Sequence, residues 1–304
     1  MKEYLRREWY SRDDVMSNIV PLLRGREVAF MVPKVLRTER GNYPVRCIKA
    51  HHSSYLLNNM KAFSFFERKY NLYHSIFRLK NLPMFSYSPL KRSEQQHEFF
   101  LKYYDHVTGV DFVMDLDGKE TFELSERVRA ARDVVVKICA FMKSFGVPYR
   151  VEFSGSKGFH IEVDDVFRDF PATREWSKRT VVLEKIATLL VMKANGLRPQ
   201  LPEDEESLAI LKKELKDLYS FDSSIYNVTR IWKVPYSYDA ASDMIVTPLS
   251  DEELINFKLE DFMVEKMLGK NLWNAGLKTR EGNLTNFWRM AEYLGIDSWT
   301  VSGG

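Results

Sequence analysis

Two aspartates near the middle of the chain form the first candidate site. Asp115 and Asp117 end an apolar run in VDFVMDLDG, residues 110–118, which predicts a buried strand stopped by Gly118. Side chains alternate across a strand, so residues two positions apart project from one face. Two carboxylates there repel each other unless a cation lies between them, and Mg²⁺ and Mn²⁺ prefer such oxygens. The pair predicts a two-metal site for phosphoryl transfer, although acids that only cap a strand end give the same pattern.

A glycine- and serine-rich turn, FSGSKGFHIEV at residues 153–163, is the second candidate site. It joins two predicted strands, 149–153 and 159–163. Its glycines let backbone N–H groups approach a ligand, while its hydroxyls, lysine and histidine add donors, so the turn predicts a phosphate-binding loop. The residues concerned are Ser154, Gly155, Ser156, Lys157, Gly158 and His160. The glycine spacing differs from that of a Walker loop, and an ordinary hairpin would show the same local pattern.

A third acid and a second basic pair occur in FDSSIYNVTRIWKVP, residues 221–235. Asp222 precedes a predicted strand that carries Arg230 and Lys233. In combination with the first two motifs, these residues suit a third metal-oriented carboxylate and two partners for a triphosphate. Each of them alone is more typical of a surface position.

Several helices and strands must position these residues. The apolar periodicity predicts helices at 10–23, with Pro21 as a candidate early end, and at 121–145, 174–194 and 203–218. Further strands are predicted at 27–32, 229–234 and 244–247, and the last fifty or so residues are predicted to be helical.

Residues 33–105 mix basic and aromatic side chains and permit two interpretations. Such a mixture lines single-strand channels, but it is also typical of an aromatic core with solvated charges, which is the more common arrangement. The residues concerned are Lys61, Phe63, Phe65, Phe66, Arg68, Lys69 and Tyr70.

The composition limits the classes of protein to be considered. The chain has 304 residues, 45% of them hydrophobic, enough for one large domain or two modest ones. Cys47 and Cys139 are the only cysteines, so neither a disulfide framework nor a structural zinc site is expected. The formal charge of +3 suits nucleic-acid binding and is also ordinary for an enzyme. No apolar run reaches the length of a membrane span, so we expect a cytoplasmic or nucleoid-associated protein without membrane contact.

The order of the three motifs resembles the archaeo-eukaryotic primase superfamily, which includes primase small subunits and primase-polymerases. FVMDLD comes first, SGSKGFH follows after one helix, and an aspartate with a basic strand ending in proline comes last. The amino-terminal YLRREWYSRDDVMSNIVPLLRGREVAF is also similar to the start of a primase small subunit. The resemblance covers residues 1–250 and implies a catalytic domain there, with residues 251–304 as a helical carboxy-terminal extension.

The resemblance implies a fold and a role for each motif residue. The expected fold is α+β, with an RRM-like antiparallel sheet packed beside an α/β amino-terminal module and followed by the helical tail. Asp115, Asp117 and Asp222 match the family's catalytic metal ligands. The positions that match nucleotide contacts are Ser154, Ser156, Lys157, Gly158, His160, Arg230, Lys233 and, with a weaker match, Arg46.

Two departures from the family pattern bear on the function. Arginines often occupy the positions of Ser156 and Lys157, and lysine retains a charge without bidentate phosphate binding. No cysteine-rich zinc knuckle flanks SGSKGFH, which favours a compact single-chain enzyme over a replicative primase subunit.

The resemblance therefore implies a template-directed nucleotidyltransferase that uses two Mg²⁺ or Mn²⁺ ions. Its partners would be nucleoside triphosphates, single-stranded or primed DNA, and an accessory subunit or fused partner. Priming and extension-only polymerisation both fit the motifs. A nucleic-acid-binding module without catalysis and a metal-dependent phosphoesterase are two further functions that the same residues permit.

Overall fold

The computed structural model describes most of the chain. The described residues are 3–33, 36, 45–48, 50, 52–82, 89–118, 121–170, 175–202, 204–219, 221, 225–227 and 230–297. Asp222 and part of the predicted strand 229–234 lie outside these ranges.

The described elements alternate between helices and short strands. The helices are α1 (Glu3–Ser11), α2 (Asp13–Leu23), α3 (Ser53–Ala62), α4 (Pro89–Leu101), α5 (Leu124–Ser144), α6 (Trp176–Ala194), α7 (Glu205–Tyr219), α8 (Asp251–Ile255), α9 (Val264–Leu268) and α10 (Thr285–Tyr293). The strands are β1 (Val28–Met31), β2 (Val45–Ile48), β3 (Asn71–His74), β4 (Phe77–Leu79), β5 (Val107–Val110), β6 (Phe112–Asp117), β7 (Arg150–Phe153), β8 (Gly158–Val163), β9 (Trp232–Lys233), β10 (Tyr238–Asp239), β11 (Met244–Ile245) and β12 (Thr247–Leu249). The fold is α+β with small antiparallel sheets, and among the described residues no helix is both long and apolar enough to cross a membrane.

A central sheet of order β12-β7-β8-β6 has one apolar and one polar face, because side chains alternate along its strands. The apolar face packs against α5 and α6, and its buried residues are Phe112, Met114, Leu116, Val151, Phe153, Phe159, Ile161 and Val163. The opposite face carries Asp115, Asp117, Arg150, Glu152, His160 and Glu162. All the charged side chains of β6, β7 and β8 therefore lie on the polar face.

A second sheet of order β2-β1-β3-β9 packs with the amino-terminal helices around a separate core. Its last strand, β9, comes about 160 residues after β3 in sequence and pairs with it through Tyr73 opposite Lys233 and His74 opposite Trp232. This long-range pairing brings Trp232 and Lys233 against the polar face of the central sheet, where the ring of Trp232 contacts that of His160.

The carboxy-terminal residues contribute to both cores. Leu254, Phe287 and Trp288 belong to the core beneath the central sheet, whereas Val264 and Met267 belong to the amino-terminal core. Helices α8, α9 and α10 confirm part of the predicted helical character, but residues 269–284 between α9 and α10 are irregular.

Several element boundaries differ from those predicted. The helix predicted at 10–23 is two helices that break at Arg12, because acidic Asp13 and Asp14 begin a new first turn. An early end at Pro21 is wrong, since α2 continues to Leu23.

The predicted strand 110–117 is divided between β5 and β6 at Asp111, a buried residue whose carboxylate forms an ion pair with Arg26. The predicted strand 244–247 is also observed as two strands, β11 and β12, with Val246 between them.

The aromatic segment near residue 65 belongs to the interior. Phe65 and Tyr70 are fully buried and pack around Phe30 in the amino-terminal core. The exposed residues Lys61, Arg68 and Lys69 lie outside it. This arrangement favours the aromatic-core interpretation over the single-strand channel.

Candidate functional site

The paired aspartates lie directly beside the glycine- and serine-rich turn. Strands β6 and β8 are antiparallel neighbours in which Asp115 is opposite His160 and Asp117 is opposite Gly158. The turn between β7 and β8 therefore emerges at the strand end that carries both acids, although about forty residues separate the motifs in sequence. Strand register thus brings the first two predicted motifs into one site.

The two carboxylates are partly buried, and their negative charges repel each other. The side chain of Asp115 is 34% exposed and that of Asp117 is 20% exposed. Burial, reinforced by the negative charge of Asp117, raises the pKa of Asp115 to about 6. A nearby cation would remove this cost, and two oxygen donors on one strand face suit a hard divalent ion. The residues present therefore fit Mg²⁺ or Mn²⁺.

Lys157 supplies a positive charge to these acids. Its Nζ atom lies 2.6 Å from Oδ2 of Asp117, and its side chain is 38% exposed. A lysine at the rim of the site can exchange one anionic partner for another, because its flexible stem keeps the ammonium group mobile.

The turn itself is held by bonds within the hairpin. The Ser154 N–H donates to the Gly158 carbonyl at 3.0 Å, and the Gly158 N–H donates to the Ser154 hydroxyl at 3.2 Å. Gly155 has a φ of +76°, a conformation that glycine adopts without strain. Ser154 is buried, so its hydroxyl shapes the turn, whereas Ser156 is only half-buried.

Lys233 reaches the turn from the second sheet. Its Nζ atom donates to the Ser154 carbonyl at 2.9 Å and to the Ser156 hydroxyl at 3.3 Å, and it forms an ion pair with Asp239 at 2.6 Å. Although burial opposes the charged form, Asp239 raises the pKa of Lys233, which is therefore a cation at neutral pH. Lys233, a predicted phosphate partner, thus lies against the glycine- and serine-rich turn.

His160 is a buried member of the same group. Its ring lies 4.1 Å from that of Trp232, between centroids. Nε2 is 3.9 Å from Oδ1 of Asp115, and Nδ1 is 3.7 Å from Oε2 of Glu152. Both distances exceed those of a hydrogen bond, so the imidazole lies between two carboxylates and packs against the aromatic ring of Trp232.

Comparison with known proteins gives a weak structural similarity. No family model matches the sequence, and no curated protein matches it. Among solved structures, the archaeo-eukaryotic primase domain of the cyanophage S-2L primase-polymerase is similar, with a TM-score of 0.40 and 12% sequence identity. The match covers 83% of this chain and 95% of the phage domain.

The structure shows no contact between the predicted site around Asp115 and two of the predicted nucleotide contacts, Arg46 and Arg230, among the described hydrogen bonds and ion pairs. Arg46 on β2 forms a buried bidentate ion pair with Glu27, the residue before β1, with contacts of 2.6 and 2.9 Å, and its guanidinium lies 5.0 Å from the centre of the Phe100 ring. Arg230 is exposed, and its N–H donates to the Asn227 carbonyl. A role for either arginine in nucleotide binding stays a prediction.

The third predicted aspartate lies outside the described residues. Phe221, which precedes Asp222 in sequence, forms an antiparallel bridge with Leu116, the residue between the paired aspartates. The metal-binding role of Asp222 stays a prediction.

A second acidic cluster, which the sequence reasoning missed, lies deeper on the polar sheet face. The carboxylates of Asp111, Glu162 and Asp164 lie within 4.8 Å of one another and could bind a divalent cation. Arginines already contact them, however: Arg26 lies 2.5 Å from Asp111, and Arg150 forms an ion pair with Glu162. A metal ion would have to displace these guanidinium groups, so we interpret the cluster as a buried ionic network.

A sequence signal for this network exists in the strands themselves. Arg150, Glu152, His160 and Glu162 alternate with apolar residues, so their strands predict one polar face. All four are buried, which shows that a second layer covers this face. Covering a charged face requires internal partners, and those come from distant parts of the chain.

Replacing Gly158 by alanine is expected to destabilise the protein by about 1–3 kcal/mol, as overpacking does elsewhere. A Cβ atom at this position would lie 2.3 Å from the Leu116 carbonyl oxygen and 2.5 Å from Oδ1 of Asp117, so β6 and β8 would have to separate beside the acids. Chemical denaturation measures the change.

Gly269→Ala is the matched control, because its Cβ would meet only an ordinary contact at 3.6 Å. Equal stabilities of the two variants would show that the strands separate at no cost.

Proposed function

We propose that this protein is a template-directed nucleotidyltransferase of the archaeo-eukaryotic primase superfamily, which joins nucleoside triphosphates on single-stranded DNA and releases pyrophosphate. The observation that supports it most strongly is the convergence of three sequence-distant motifs. Strand register places Asp115 and Asp117 beside the phosphate loop, and Lys233 contacts that loop from the other sheet.

The acids are the ion-binding part of the proposed site. Asp115 and Asp117, together with Asp222, would hold two Mg²⁺ or Mn²⁺ ions. Such ions, when bound, lower the pKa of the attacking hydroxyl and neutralise charge on the pyrophosphate. Asp115 suits this task because its partly buried carboxylate has a raised pKa that a bound cation would lower.

The loop and its neighbours are the triphosphate-binding part. Lys157 would exchange its contact with Asp117 for one with the triphosphate, and Lys233 would add a second fixed charge. Ser156 and the backbone N–H groups of the loop would donate to phosphate oxygens, while Ser154 keeps the loop in shape through its bond to Gly158. Such fixed donors stabilise charge that shifts to a leaving group.

His160 would contact the nucleotide from the floor of the site. Its Nε2 edge lies near Asp115, whereas its other nitrogen faces buried Glu152. The Trp232 ring packs against the imidazole, with 4.1 Å between ring centroids.

The architecture in this proposal is an RRM-like central sheet beside the amino-terminal module, with residues 1–250 as the catalytic domain and 251–304 as its extension. The assignment to the superfamily rests on the motif order and on the site geometry. An accessory subunit or fused partner, and a cytoplasmic or nucleoid-associated location, belong to the same proposal.

An assay with unprimed template tests the function directly. We expect the purified protein, incubated with single-stranded DNA, labelled nucleotides and Mn²⁺, to convert nucleotide into longer DNA. New short products identify a primase, whereas extension of a supplied primer alone identifies a polymerase. Shortened template would instead identify a phosphoesterase, and an absence of any product under varied metals would support a binding module without catalysis.

A further inference from the structure

The ammonium group of Lys233 has a complete set of partners. A lysine carries three N–H donors, and Nζ of Lys233 has three acceptors within reach: Asp239, the Ser154 carbonyl and the Ser156 hydroxyl. The contact with Ser156 is the longest, at 3.3 Å, and Ser156 is the most exposed of the three partners. An incoming phosphate oxygen can therefore most readily replace Ser156 as a partner of the ammonium group.

Asp239 is buried, and hydrogen bonds engage both of its oxygens. Oδ2 accepts from Nδ2 of Asn71 at 2.9 Å and from Nζ of Lys233 at 2.6 Å. Oδ1 accepts from the backbone N–H groups of Ala241 at 2.9 Å and Ser242 at 3.1 Å. The side chain is only 3% exposed. A carboxylate held at both oxygens is a rigid anchor for the lysine that it contacts.

The same turn also holds the phosphate loop. The Ser242 hydroxyl donates to the Gly155 carbonyl. A Cβ atom on Gly155 would lie 3.3 Å from Cβ of Asp239, so the loop and the turn are in close contact. Asp239 thus connects the two groups that surround the proposed triphosphate, the loop and the lysine.

We infer that Asp239 is a positioning residue that fixes the Lys233 ammonium group for the nucleotide's triphosphate. This inference rests on the proposed function and deepens it. Asp239 and two oxygens of the loop contact the same ammonium group, so the charge of Asp239 holds that group beside the loop. Without this partner the flexible lysine stem has several conformations open to it, and ordering it would oppose nucleotide binding.

Asp239→Asn separates this role from a general effect on the turn. The asparagine oxygen can still accept from Ala241 and Ser242, but its amide group presents donors where Lys233 needs an acceptor. We expect the variant to weaken binding of a non-hydrolysable deoxynucleoside triphosphate with Mn²⁺ by about 10- to 100-fold, the range for one hydrogen bond to a charged group. The apparent KM for nucleotide should rise by a similar factor, with a smaller change in kcat.

A double-mutant cycle with Lys233→Ala shows whether Asp239 acts through Lys233. The variant with both substitutions should bind nucleotide no more weakly than Lys233→Ala alone. The double variant leaves no buried charge without its partner, whereas each single variant does, so a melting curve of each protein first establishes that it is folded. Weaker binding by the double variant would overturn the inference, as would unchanged binding by Asp239→Asn.

Asp243→Asn is the matched control for charge. It removes an equal charge from the same turn, at a carboxylate that accepts from the Tyr238 hydroxyl, and its φ of +61° is one that asparagine tolerates. Nucleotide affinity should not change; a loss equal to that of Asp239→Asn would reduce the effect to net charge and overturn the inference. A wild-type protein that binds no triphosphate would overturn the proposed function as well. If the wild type binds triphosphate and only the variants differ from the expected results, the inference about Asp239 is overturned and the proposed function is not.

Discussion

Replacing Asp115 or Asp117 by asparagine is expected to lower nucleotide incorporation by about a thousandfold or more, the rate equivalent of several kcal/mol of lost charge stabilisation by metal ions. The two carboxylates share the strand face beside the glycine- and serine-rich turn. An amide of the same shape keeps the packing but removes the charge that holds a divalent ion. Primer extension under single-turnover conditions with Mg²⁺ or Mn²⁺ measures the loss.

The Asp115→Asn variant should lose activity without losing stability. Burial and the charge of Asp117 raise its pKa to about 6, so its contribution to stability is complete below the ordinary carboxyl pKa and is lost as the pH rises through about 6. At pH 7.5 the Asp115→Asn variant should therefore melt at the same temperature as the wild type or above it. Added Mn²⁺ should raise the Tm of the wild type and not that of the variant.

Asp133→Asn on helix α5 is the control for this pair, because it removes an exposed carboxylate that contacts only the helix surface arginine Arg132 among its described ion pairs. It should retain full activity and wild-type stability. Near wild-type incorporation by either active-site variant would remove the acids from the catalytic site.

Replacing Arg150 by methionine is expected to destabilise the protein by about 3–5 kcal/mol, the usual cost of breaking a buried ion pair from one side. Arg150 is buried and contacts both Glu162 and Glu152. Its removal would leave these acids without their nearest positive charge, in a region that water does not reach. Chemical denaturation at pH 7.5 gives the free energy of unfolding.

Arg168→Met is the matched control. This arginine lies at the rim of the same cluster, 3.7 Å from Asp164, but its side chain is 59% exposed. The expected cost is at most about 1 kcal/mol, as for other surface ion pairs. Equal costs for the two arginine variants would contradict the interpretation of the cluster as a buried network.

The network should also respond to pH through Glu162. Glu162 shares its buried surroundings with two further acids, Asp111 and Glu152, and with two arginines, Arg26 and Arg150. Burial and the neighbouring acids raise the pKa of Glu162 well above its usual range. Its contribution to stability is therefore complete at low pH and is lost as the pH rises through the folded-state value.

Glu162→Gln, which reproduces the neutral acid, should accordingly gain stability relative to the wild type as the pH rises. Parallel pH profiles of the free energy of unfolding for the two proteins would show that Glu162 is ionised in the folded state.

Local features of the sequence predicted the site motifs because the underlying physics is local. The shared face of Asp115 and Asp117 follows from alternation along a strand, and the turn follows from Gly155 and its neighbours. Helix α5 was predicted to within three residues of its observed start at Leu124, because its apolar stripe is long and regular. The break at Arg12 was missed, because a helix boundary depends on a few residues and on contacts from distant carbonyl groups.

The sequence by itself determined the side chains available for chemistry: a carboxylate pair, a glycine- and serine-rich turn and a basic segment, in that order. Only the tertiary structure decided which lysine meets the turn and what holds it there. Lys233 reaches Ser154 and Ser156 because β9 pairs with β3, and Asp239 anchors it from a turn that no periodicity links to the motifs. The sequence did not predict the ion pairs of the buried arginines either, because charge partners on different elements meet only when the sheets pack together.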